Sequence, residues 1–134
     1  MVGIVVITHG DFAERLILTA ESIGVKLDKI QWVSIKERNE VEEARKGIAR
    51  AIKNVDFGQG VLILTDMFGG SPSNLSLSFL DEGKVEVLAG VNLPMLLKVA
   101  DLRKKEALKE LAGRLKEYGQ KSIVLASDVL KEEA

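Results

Sequence analysis

The chain has 134 residues, 46% of them hydrophobic and 29% charged, and its formal net charge is −1. That balance offers no broad cationic surface for nucleic acid, whose binding is driven by phosphate neutralisation. No cysteine and a single histidine, His9, exclude disulfides, thiolate zinc sites, cysteine nucleophiles and multi-histidine metal clusters.

The apolar runs at residues 4–7 and 61–64 are far shorter than the ~20 residues a membrane span needs. No basic segment leads into a long apolar stretch at the start, so a cytoplasmic protein without direct membrane insertion is expected. The length suits one domain over residues 1–134, free of repeats and linkers. Chemistry must then rest on His9, carboxylates, hydroxyls or backbone amides, and neither metal nor cofactor is called for.

Residues 2–8 (VGIVVIT) predict a fully buried strand that ends at His9-Gly10. Asp11, with Glu14 three residues on, has the form of a capping box, and Phe12, Leu16, Ala20 and Ile23 follow at helical spacing up to Gly24. Residues 30–35 (IQWVSI) predict the second strand. Asn39 with Glu42 opens a second helix whose buried stripe is Val41, Ala44, Ile48, Ala51 and Val55. The third strand is 61–65 (VLILT), followed by the loop Asp66-Met67-Phe68-Gly69-Gly70.

Ser71-Pro72 is a strong helix start, with serine as N-cap and proline in the first helical position, and that helix should run to about Asp81. Residues 84–89 predict strand four, and Gly90 to Pro94 lead into another helix. Residues 104–118 read as one amphipathic helix through Leu108, Leu111, Leu115 and Tyr118, and 122–126 (SIVLA) as a last short strand. Alternating strands and helices predict an α/β fold, an open and mostly parallel sheet with helices on both faces.

Ligands of such sheets bind beyond the carboxyl ends of the strands. Right-handed crossovers leave few strand orders, and the flavodoxin-like one sets strands one and three side by side. His9 and Asp66 then end neighbouring strands ~4.8 Å apart, within hydrogen-bond reach. A carboxylate that accepts the proton of one ring nitrogen leaves the other with a directed lone pair, and it stabilises the positive charge that grows on phosphorylation. Gly69, Gly70 and Ser71 bring free amides and a helix N-terminus to the same place, which favours an anion such as a phosphoryl group. Gly10 leaves the outer side of His9 open to a partner.

Residues 4–10 (IVVITHG), 62–74 (LILTDMFGGSPSN) and 89–96 (AGVNLPML) together resemble the mannose-family enzyme IIA domain of the phosphoenolpyruvate-dependent sugar phosphotransferase system. The resemblance extends over almost the whole chain in length and element order. It implies that His9 is the phosphorylated histidine, Asp66 its carboxylate partner, and Gly10, Gly69, Gly70 and Ser71 the phosphate-binding loops. Thr8, Met67, Phe68 and Asn92 match pocket-lining positions.

The implied activity is a relay: His9 takes phosphate from the phosphocarrier protein HPr and passes it to an enzyme IIB for sugar uptake by a membrane permease. The resemblance also implies a homodimer that exchanges its last strand, here 122–126. With the sequence ending at Ala134 and no IIB region, the IIB partner is expected to be a separate chain.

Two alternatives keep the same chemistry: a stand-alone regulatory phosphocarrier, and the phosphotransfer domain of the dihydroxyacetone kinase system. The second carries a Met-Gly-Ser-type loop after its aspartate, unlike Gly69-Gly70-Ser71-Pro72 here. Receiver domains need an acidic pair after strand one, where Thr8-His9-Gly10 stands, and a serine hydrolase at Ser71 needs glycine where Ser73 is.

Overall fold

Strand β1 (Gly3–His9) is apolar and β-branched at most positions, the pattern of a strand covered on both faces, and its side chains through Thr8 are fully buried. The computed structural model describes residues 1–36 and 41–133. Beyond β1 the chain order is α1 (Phe12–Ile23), β2 (Ile30–Ile35), α2 (Val41–Val55), β3 (Val61–Thr65), α3 (Ser71–Leu77), β4 (Val85–Ala89), α4 (Leu93–Lys105), α5 (Leu108–Lys121) and α6 (Ala126–Glu133).

The four strands pair in the order β2-β1-β3-β4, all parallel. The expected adjacency of strands one and three is therefore present, with Ile7 opposite Thr65 and His9 opposite Ile35. Alternation along the strands sorts the core into two layers. Ile4, Val6, Leu62 and Leu64 pack under α1, α4 and α5, while Val5, Ile7, Val61 and Ile63 pack under α2 and α3. Truncating a fully buried leucine such as Leu64 to alanine should cost about 2–5 kcal/mol.

Several local expectations are corrected. Asp11 occupies the N-cap of α1 without capping it through its side chain; Thr8 Oγ1 accepts the Ala13 N–H instead, at 2.7 Å. Phe12, Ile23 and Val41 are exposed, because the buried faces of α1 and α2 are set by Ala13, Leu16, Ile17 and Ala20 and by Ile48, Ala51 and Val55. Asn39 lies outside the described residues. Gly70, not Ser71, is the N-cap of α3. That helix stops at Leu77, where i→i+3 bonds from Phe79 to Ser76 and from Leu80 to Leu77 tighten the chain into turns.

The helix expected over 104–118 begins instead at Leu108, because Lys104 and Lys105 still belong to α4 and the chain breaks at Glu106-Ala107. Arg103, fully buried at the end of α4, explains the break: its guanidinium donates to the carbonyls of Val2 and Lys29, both at 2.9 Å, and of Asp28. Its own carbonyl accepts the Val2 N–H. With α4 pinned there, the chain must turn back to bury Leu108, Leu111 and Leu115 against the sheet.

The strand expected at 122–126 is absent. Ser122 caps α5, and residues 123–125 run on without a ladder partner before Ala126 opens α6. Ile123, Val124 and Leu125 are 80%, 61% and 66% exposed, so the apolar run read as a strand finds no edge to pair with inside this chain.

Candidate functional site

At the carboxyl end of the sheet, β1 delivers His9 and β3 delivers Asp66, the residue just past its end. Their side chains meet: His9 Nδ1 lies 2.7 Å from Asp66 Oδ2. The same oxygen accepts the main-chain N–H of His9 at 3.0 Å, and Asp66 Oδ1 accepts the Met67 N–H at 3.0 Å. One carboxylate therefore grips both the ring and the backbone of the histidine. The imidazole stays 51% exposed while the carboxylate is only 14% exposed.

Burial pushes the Asp66 carboxyl up, but the ring hydrogen bond from His9, the main-chain N–H of His9, the imidazole charge and the Met67 N–H outweigh it. The net result lies below the ordinary value of 3.8. Asp66 is thus an anion near neutral pH, and an anion can only accept the Nδ1 proton. In the neutral ring this leaves the lone pair on Nε2.

Gly70 stands directly against that side of the ring. A Cβ built there would fall 2.8 Å from His9 Cε1 and 3.3 Å from Nε2, so any other residue would push the imidazole off its seat. Gly10 is required for a different reason. Its φ of +50° turns the chain from β1 toward α1 in the left-handed region, where an L side chain costs roughly 1–2 kcal/mol.

His9 and Ser71 share the wall of an open cleft of about 570 Å³ with Ile35, Lys36, Val41, Ala44 and Leu75. These last five were missed in the sequence. The signal was available: β2 is the other neighbour of β1, and Ile35 is in register with His9, so the end of β2 must border the site. Lys36 also approaches Asp11 at 3.5 Å, an ion pair with both side chains well exposed.

The other expected site residues divide. Gly69 turns the loop, with its carbonyl held at 3.4 Å by Asn74 Nδ2. Met67 approaches Gly70 but is exposed, and Phe68 is 74% exposed. Thr8 does not line the cleft, for it is fully buried beneath α1. Nor does Asn92, which caps α4 by accepting the Met95 N–H at 3.0 Å and borders a separate groove beside β4. No group of three or more potential metal ligands occurs among the described residues, and no helix among them is long and apolar enough to cross a membrane.

The site is thus a histidine whose ring is held by an anionic carboxylate, beside a glycine-lined loop. Residues 3–116 match the family model of mannose-type enzyme IIA, described as the phosphotransferase system fructose IIA component. The chain belongs to this family of phosphotransferase-system proteins. It is 32% identical over 133 residues to the fructose-specific EIIA component of Bacillus subtilis (strain 168), covering 98% of this chain and 91% of that one. It is also 32% identical over 124 residues to the mannose-specific EIIAB component of Escherichia coli (strain K12), covering 91% of this chain and 38% of that longer protein. Among solved structures, the phosphotransferase system component EIIA from Streptococcus agalactiae superposes with a TM-score of 0.84 at 26% identity, over 96% of this chain and 99% of that one.

Proposed function

We propose that the chain is a cytoplasmic phosphoryl carrier, accepting phosphate from phospho-HPr on His9 Nε2 and passing it to an enzyme IIB in a sugar uptake pathway. The observation that supports this reading is the 2.7 Å contact between His9 Nδ1 and Asp66 Oδ2, which commits one ring nitrogen to the carboxylate on a histidine that borders the cleft. The Nε2 lone pair attacks phosphorus as the phosphorus–nitrogen bond of the donor breaks, and the donor imidazole leaves with that electron pair. The Nδ1 proton stays on His9, where Asp66 balances the positive charge the ring acquires.

The backbone around Gly70 and the hydroxyl of Ser71, which shares the cleft with His9, supply donors for the phosphoryl oxygens, with Gly69 and Gly10 shaping the loops on either side. Exposed Met67 and Phe68, in the loop between Asp66 and Ser71, suit contact with a protein donor. The exposed 123–125 segment and the open edge of β4 favour a homodimer, which a solution mass of about twice the chain's 14.6 kDa would establish.

Incubation with phosphoenolpyruvate, enzyme I and HPr tests the relay. An acid-labile, base-stable phosphate should form on the wild type and be missing from His9→Ala. Label on a serine or aspartate, or none on the wild type, contradicts the proposal.

A further inference from the structure

We infer that Thr8 is a positioning residue for the reacting imidazole, rather than a wall of the pocket. The inference rests on the reading of His9 as phosphoryl acceptor. Thr8 is fully buried, and its hydroxyl is used twice: it accepts the Ala13 N–H at 2.7 Å and donates to the His9 carbonyl at 3.2 Å. The first bond does what the side chain of Asp11, in the N-cap position, does not do, since α1 has no cap from that residue. The helix start is therefore tied to the strand residue just before His9.

The consequence for the ring comes from Asp66. One oxygen, Oδ2, holds both the His9 main-chain N–H and Nδ1, so a displacement of the His9 backbone is also a displacement of the imidazole relative to its carboxylate. The next peptide is held too, with the Gly10 N–H donating to the Ile35 carbonyl at 3.1 Å. Among the described residues, the Thr8 hydroxyl alone joins α1 to the His9 carbonyl. Removing it frees one side of the His9 peptide and lets the ring drift from the geometry in which Asp66 enforces a single tautomer. Reactions that depend on alignment lose rate steeply for small displacements.

The test compares Thr8→Val, which keeps the shape and removes the hydroxyl, with Thr8→Ser, which keeps the hydroxyl. At saturating phospho-HPr the Thr8→Val rate of phosphoryl transfer should fall by about tenfold with KM within about twofold of wild type. Thr8→Ser should recover the rate to within about twofold of wild type. In parallel, ¹⁵N spectra of the unphosphorylated proteins should show the Nδ1–H tautomer dominant in wild type and Thr8→Ser, and mixed in Thr8→Val. A merely structural role would lower the melting temperature without changing the tautomer.

Wild-type rate and tautomer in folded Thr8→Val overturn the inference while leaving the carrier reading intact. Absence of any label on wild-type His9 overturns the carrier reading instead, and the tautomer arm still decides the role of Thr8. Should Thr8→Val not fold, the wild type decides: a slowly exchanging Thr8 hydroxyl proton close to the His9 carbonyl supports the inference, and a freely exchanging one refutes it.

Discussion

The two ends of the sheet use the same device to opposite effect. At the amino end, Arg103 reaches across 101 positions of sequence to Val2 and across 75 and 74 to Asp28 and Lys29. At the carboxyl end, His9 and Asp66 join positions 57 apart. Arg103 is sealed in, with burial pulling its guanidinium below its ordinary value and Asp28 partly opposing, and all its nitrogens lie on carbonyls. It also holds Lys29, whose φ of +57° is strained for a residue with a side chain. The imidazole instead spends one nitrogen on Asp66 and keeps the other at the surface. A polar bridge with every group satisfied is a staple; one that keeps a ring nitrogen at the surface is, on the function proposed, where chemistry can take place.

The sharpest way to break this comparison is to swap the losses. Asp66→Asn should cut the phosphorylation rate by roughly 10²–10⁴-fold, because a neutral amide holds the Nδ1 proton less firmly and cannot balance the positive charge the ring acquires. Its stability should stay within about 1 kcal/mol of wild type. Arg103→Met should do the reverse, losing roughly 3 kcal/mol by stranding three carbonyls, read as a lowered urea midpoint, with transfer rate per folded molecule unchanged. If Arg103→Met silences transfer while still folded, the division between the two ends fails.

Gly70→Ala should come next, with about a tenfold slower transfer from a displaced ring and little change in melting temperature. The smallest effect is expected at Lys36, whose exposed ammonium borders the cleft: Lys36→Met should slow transfer by about twofold at low salt and not at all near 1 M, where the Debye length is ~3 Å.

The pH dependence sharpens the same contrast. The carboxyl of Asp66 lies below its ordinary 3.8 in the folded chain, so its contribution to stability is present above that value and lost as pH falls through the lowered one. The urea-midpoint difference between wild type and Asp66→Asn should therefore be flat near neutral pH and shrink progressively as pH falls through the region of 3.8 and below. A difference that grows in favour of wild type as pH falls through that region would contradict the assigned direction.

How much of this was legible in the sequence follows the same line. Strands buried on both faces announce themselves as unbroken β-branched runs, and right-handed crossover geometry then places β1 beside β3, which is why the pairing of His9 with Asp66 could be read without coordinates. Interactions set by tertiary reach could not. Arg103 looks like part of a solvated basic run with Lys104 and Lys105, and only the fold turns it inward to end α4. Thr8 looks like any strand-end residue until α1 folds back onto its hydroxyl. Residues 122–126 have strand composition, but a strand needs an edge, and after the Ser122 cap no strand among the described residues pairs with them.

The central claim is that Asp66 decides which nitrogen reacts, and the most direct measurement is the ¹⁵N–³¹P coupling pattern of the phosphorylated protein carrying ring-labelled His9. Phosphorus bonded to Nε2, with the proton retained on Nδ1, is the predicted result. Phosphorus on Nδ1 contradicts the account, since that nitrogen is the one the carboxylate holds.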